Sequence, residues 1–145
     1  MAHAVAENII AGNAMSRRAQ YMFGPLLAPT DIIAKPEDER IIDGVDIVFE
    51  LTPGTEAPAE MNLYFPQFRV LDMAENATHT MHNLYTLRGA EIRDGNAWAR
   101  YLDDALVRFG GKSDVLIAQH HWPVWGEAEL QAYLAKQRDL YKFIN

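Results

Sequence analysis

Cysteine is absent from all 145 residues. That excludes a disulfide framework, a thiolate nucleophile and a thiolate metal site, so any metal must be held by histidine, aspartate and glutamate. Basic residues are scarce as well: 13 lysines and arginines stand against 20 acids, for a formal net charge of −7, and no basic cluster exceeds Arg17-Arg18. A surface for nucleic acid or for an anionic membrane is therefore not expected. No apolar run is long enough to span a bilayer, and the start, MAHAVAENIIAGNAMSRRA, lacks a basic segment followed by an apolar one, so neither a membrane span nor an export signal is read in it. The compartment stays open between cytoplasmic and periplasmic or secreted. Internal repeats and low-complexity segments are also lacking.

What remains is ordinary globular material. Hydrophobic residues make up 49% of the chain, enough for the core of one domain over residues 1–145 with no separate linker. The stretch from Ala4 to Arg18 carries a weak helical stripe, interrupted at Gly12-Asn13, and Asp31 to Ala34 reads as a short β-branched strand. Arg40 to Leu51 reads as a hairpin turning at Asp43-Gly44, with Val45, Ile47, Phe49 and Leu51 alternating against Asp46, Val48 and Glu50. Two strand-like runs follow, MNLYFP and FRVLDMA.

Trp98, Tyr101, Leu102, Ala105, Leu106 and Phe109 recur at helical spacing within Asn96 to Phe109, and Gly110-Gly111 ends that helix. DVLIA is then a short buried strand, QHHWPVWG a loop, and Glu127 to Ile144 a closing helix. This order of elements predicts an α/β (α+β) fold in which helices cover a sheet.

Chemistry concentrates in three polar loops that follow strands, around Glu56, Glu75 and His120. The candidate metal donors are Glu56, Glu60, Glu75, His79, His82, His120 and His121, oxygen and nitrogen ligands that suit a borderline cation such as zinc. Taken singly, each has a plain alternative as a solvated loop or turn residue. Arg88 is either a surface ion-pair partner or a planar fork for an oxyanion, with Asn83 near enough in sequence to add an amide donor.

Four longer stretches, AGNAMSRRA, TPGTEAPAEM, MAENATHTMHNLYTLRGA and HHWPVWG with KQRDLYKFI, closely resemble the bacterial class III alkylsulfatases of the metallo-β-lactamase superfamily. The resemblance runs over practically the whole chain. It implies half of an αββα sandwich, the C-terminal part of the catalytic domain, and a binuclear zinc hydrolase acting on dodecyl-sulfate-like esters to give alcohol and sulfate.

By the same resemblance Glu56, Glu75 and His120 fall on metal ligands, with His121 the substitute should His120 fail. Asn83 and Arg88 fall on the sulfate-binding pair, and Tyr21 on an active-site tyrosine near the leaving group. His79 and His82 become supporting residues. Met22, Phe23, Trp122 and Trp125 are candidates for an apolar wall along the alkyl chain.

The superfamily's first metal motif, H-x-H-x-D-H, does not occur in the chain, whose fifth histidine is His3. The family's dimerisation segment and its lipid-carrier-like C-terminal domain are not matched either. Two acids and one histidine make an incomplete zinc site, so activity of this chain alone is left open. Its expected partners are the alkyl sulfate substrate and either further copies of itself or an N-terminal half-domain. The competing expectation is a truncated binding or assembly module without catalysis, and a third is another hydrolase reaction on the same scaffold.

Overall fold

A two-residue turn sets the first strand pairing. In the computed structural model, which describes residues 29–145 apart from 88 and 90, strand β1 (Glu37–Ile42) returns as β2 (Val45–Leu51) with Ile42 opposite Val45. Asp43 and Gly44 both have positive φ, 51° and 82°, which is the geometry a tight hairpin turn demands and that glycine and aspartate tolerate. The hairpin thus begins three residues earlier than the sequence pattern indicates.

Asp31–Ala34, by contrast, forms no strand. β1 is the edge of the sheet, and Pro36, which has no N–H to donate, sits between those residues and the ladder. The charged residues Glu37, Asp38, Glu39 and Arg40 line this edge and discourage further pairing.

Strands β3 (Met61–Phe65), β4 (Val70–Asp72), β5 (Val115–Ile117) and β6 (Val124–Trp125) complete a sheet in sequential order. All neighbours are antiparallel except β4 and β5. That parallel pair requires a crossover, supplied by helix α1 (Gly95–Phe109), and helix α2 (Glu127–Ile144) closes the chain.

Val48, Tyr64, Leu71, Leu116 and Val124 face one another in register across five strands and pack on Trp98, Leu102 and Phe109 of α1 and Leu130, Leu134 and Tyr141 of α2. Both helices therefore lie on one face of the sheet, a helix-covered layer of the α+β kind. The Val45/Ile47/Phe49/Leu51 set lies on the other face.

The strand alternation is less simple than polar against apolar. Glu50 shares the helix-facing side with Val48 and is buried there, held by Asn62 Nδ2 at 2.9 Å and Arg108 Nη1 at 2.8 Å. Burial, set against those two partners, pushes the Glu50 carboxyl above its ordinary 4.5. A carboxyl that holds its proton more tightly when folded contributes stability below the unfolded value and loses it as pH rises through the folded one. Glu50→Gln is therefore expected to flatten the decline in urea midpoint as pH rises above 4.5.

Asp94 caps α1, its Oδ1 accepting from the backbone N–H of Asn96 and Ala97 at 2.9 and 3.0 Å. Asp94→Ala is expected to cost about 1 kcal/mol in chemical denaturation.

Candidate metal and anion site

The sheet topology brings the three chemical loops together. The loop joining β2 to β3, the segment after β4 and the segment after β5 all leave the same end of the sheet, the carboxyl end of its parallel pair, where α/β sheets place their ligands. Backbone bonds tie the segments to each other: Met73 N–H donates to Ile117 O, and Gln119 N–H to Ala74 O, each at 2.9 Å.

A buried polar network underlies the loops. Asn76 Nδ2 donates to Thr52 Oγ1 at 3.0 Å and to Asn62 Oδ1 at 2.8 Å, and Thr55 Oγ1 donates to Thr52 O. The segment after β4 is also fastened to the helices. Trp98 Nε1 donates to Asn76 O at 2.8 Å, Tyr133 OH to Ala77 O at 2.5 Å, and His82 N–H to Tyr141 OH at 3.0 Å. Burial pushes the Tyr141 phenol up to about 12, so it stays protonated at physiological pH.

Ala74, just before Glu75, and His120 itself take positive φ, 47° and 72°. Such conformations are costly for non-glycine residues and persist where the surroundings impose them. Here they turn the chain sharply as it leaves β4 and β5, and they aim Glu75 and His120 at each other.

Glu75 is the centre of the arrangement. His120 Nε2 lies 2.5 Å from its Oε1, and His82 Nε2 lies 3.3 Å from its Oε2. Glu56, Glu75 and His82 each offer a ligand atom, and the three atoms lie within 4.8 Å of one another. Glu60 packs beside them and accepts from Glu75 N–H at 3.4 Å. Burial, with the neighbouring Glu56 and Glu75 carboxylates adding to it, pushes Glu60 up to about 7. Crowded acids facing imidazoles at partly buried positions are what a divalent cation neutralises, and two carboxylates with one or two imidazoles form a ligand set of the right chemistry. The residues present fit a metal.

The sequence candidates separate cleanly here. Glu56 and Glu75 meet, and His120 reaches Glu75. His82, treated in sequence as a supporting residue, stands in the cluster itself. His121 turns away and stacks on His79, ring centroids 4.6 Å apart, with Trp122 edge-on to both. Trp122 and Trp125 are exposed. Asn83 sits one residue beyond His82, and its Oδ1 accepts from Arg93 Nη1 at 2.7 Å. Arg88, Tyr21, Met22, Phe23 and the Ala4–Arg18 stripe lie outside the described residues.

Sequence reasoning passed over Arg93. Its partner Glu56 is far away in the chain, and no local spacing rule flags such a pair.

No family model matches the chain. It is, however, 56% identical over its whole length to the alkyl/aryl-sulfatase BDS1 of Saccharomyces cerevisiae, covering 26% of that protein. Among solved structures, the stereoselective inverting sec-alkylsulfatase Pisa1 from Pseudomonas sp. matches 99% of this chain at 47% identity with a TM-score of 0.81. This chain is alkylsulfatase-like.

The fold of the alkylsulfatase-like chain is that of the metallo-β-lactamases: a metallo-β-lactamase family protein from Thermus thermophilus superposes over 98% of it with a TM-score of 0.61 at 15% identity. The resemblance is not confined to bacteria, as the yeast relative shows. The chain spans about a quarter of the length of the alkylsulfatases it matches, 26% in each case above. Among its described residues no helix is long and apolar enough to cross a membrane.

Proposed function

We propose that this chain supplies part of the active site of an alkyl sulfate ester hydrolase. In this reading Glu56, Glu75 and His120 are its share of a zinc pair, with His82 as a further imidazole at Glu75. Asn83 and Arg88 clamp the sulfate, and Tyr21 stands near the leaving group. One observation carries the reading: a chain that is 56% identical, over its own length, to a quarter of an alkyl/aryl-sulfatase brings ligand atoms of Glu56, Glu75 and His82 within 4.8 Å of one another.

Zinc, when bound, supplies Lewis acidity toward the ester oxygens. The chain's own residues do the rest. Asn83 and Arg88 bind and orient the sulfate through charge-assisted hydrogen bonds. The Nε2 atoms of His82 and His120 face the two oxygens of Glu75, so that these donors converge on one cation, and in this reading Tyr21 acts on the leaving-group side of the ester.

Since the chain matches a quarter of its relatives, the remaining ligands come from outside the matched region. The sheet face away from the helices, with Ile47, Phe49, Leu63 and Phe65, packs against the complementary half of the sandwich in this reading, provided by a longer chain or by another copy.

The test is sulfate release from dodecyl sulfate, below its micellar concentration, by the protein that carries this chain. Release that stops on zinc chelation and returns with zinc supports the reading. Zinc-loaded protein that releases no sulfate contradicts it, and favours a binding module that keeps the clamp without the chemistry.

A further inference from the structure

Arg93 is the only buried basic residue among the described residues, with a side chain 5% exposed. A guanidinium at such a depth must have its donors satisfied. It spends them on two residues. Nε donates to Glu56 O at 3.0 Å and Nη2 to Glu56 Oε1 at 2.8 Å, while Nη1 donates to Asn83 O at 2.8 Å and to Asn83 Oδ1 at 2.7 Å. Its own N–H donates to Leu84 O at 2.9 Å, which folds the 83–93 loop back on itself.

The consequences for the two partners are specific. Arginine has no acceptor, so the Asn83 atom facing it must be the oxygen, and the amide nitrogen is the end left to meet an anion. Glu56 is held through one carboxylate oxygen, which leaves the other for a cation. One rigid, planar group therefore fixes the orientation of a carboxylate from the β2–β3 loop and of an amide from the segment after β4.

The geometry points to Arg93 as a positioning residue that couples metal binding at Glu56 to sulfate binding at Asn83. This rests on the functional reading above and deepens it. A metal on the free oxygen of Glu56 draws on the same carboxylate that holds the guanidinium, and the guanidinium holds the Asn83 amide, so a change at one end is passed to the other. By linkage the effect is reciprocal: zinc tightens the sulfate ester and the ester tightens zinc by the same factor, on the order of 10-fold for couplings of this type.

The experiment uses the whole protein that carries this chain, with zinc affinity read by competition with a chromophoric chelator and hexyl sulfate affinity read by calorimetry with and without zinc. Wild type is expected to bind both, with hexyl sulfate roughly 10-fold tighter when zinc is present. R93M is expected to weaken both ligands and to abolish the coupling. R93K keeps a charge for Glu56 but loses the fork, so it is expected to keep most of its zinc affinity while losing zinc's effect on hexyl sulfate. A merely structural arginine would not produce that split.

Wild type that binds both ligands independently, or R93M and R93K that retain the coupling, overturns the Arg93 proposal and leaves the functional reading standing. Wild type that binds neither overturns both. Should R93M not fold, R93K decides together with the Asn83 side-chain amide resonance of the wild type, which shifts on addition of zinc alone if the coupling holds and stays in place if it does not.

Discussion

Glu75→Gln is expected to lower zinc affinity by about 100-fold or more while leaving the metal-free chain within roughly 1 kcal/mol of wild-type stability. The two effects separate because of where Glu75 stands. Its two oxygens face His82 and His120, and it lies with Glu56 and His82 in one group of potential ligands. A neutral amide presents a far weaker donor to a cation. In the metal-free protein the lost contacts are pairs of a partly exposed carboxylate with histidines, which are worth little. The substitution also removes one of the negative charges that help push Glu60 up. Chelator competition and urea unfolding on the same sample read both numbers. A variant that binds zinc as wild type does would remove Glu75 from the site.

Trp98→Ala should cost about 4 kcal/mol, the largest loss of stability expected from a single side chain. Trp98 is fully buried, stacks on Tyr141 with ring centroids 4.6 Å apart, and donates its indole N–H to Asn76 O. Truncation opens a cavity between α1 and α2 and strands a buried carbonyl, both costly. The His82 ring lies 5.5 Å from the indole, so the same change removes the wall behind the histidine that faces Glu75 and is expected to weaken zinc binding in whatever protein still folds. Trp98→Phe keeps most of the packing and loses the hydrogen bond, for an expected cost nearer 1–2 kcal/mol. Urea unfolding followed by far-UV circular dichroism checks both, and a loss below 1 kcal/mol for the alanine variant would contradict this account of how the loop is anchored.

The parts of the fold that were legible in sequence are those whose signal is local. Trp98, Tyr101, Leu102, Ala105, Leu106 and Phe109 write the helix face of α1, where Trp98, Leu102, Ala105 and Phe109 are buried and Tyr101 and Leu106 half-buried. Asp43-Gly44 writes a hairpin turn and is one. Strand β6, only Val124–Trp125, has no local signal because it exists through its pairing with Val115 and Leu116. Asp31–Ala34 shows the converse, a β-prone run with nothing to pair with.

At the site, the resemblance named candidate residues but not how they meet. The spacing of His79 and His82 suggests one helical face, yet the segment is not helical, and the two rings go to different places, one to the His121 stack and the other to Glu75. Arg93 was invisible because its meaning lies in Glu56 and Asn83, which only the folded chain brings to it.

The central claim is that the loops at the carboxyl end of the β4–β5 pair hold zinc through carboxylate and imidazole. Elemental analysis of the zinc-equilibrated, dialysed protein that carries this chain, wild type beside Glu75→Gln, followed by zinc K-edge absorption on the same sample, tests it most directly. The account predicts zinc retained in proportion to protein, in a shell of oxygen and nitrogen donors near 2 Å that includes imidazole. Zinc lost on dialysis, or a shell of water and carboxylate with no imidazole contribution, would contradict it.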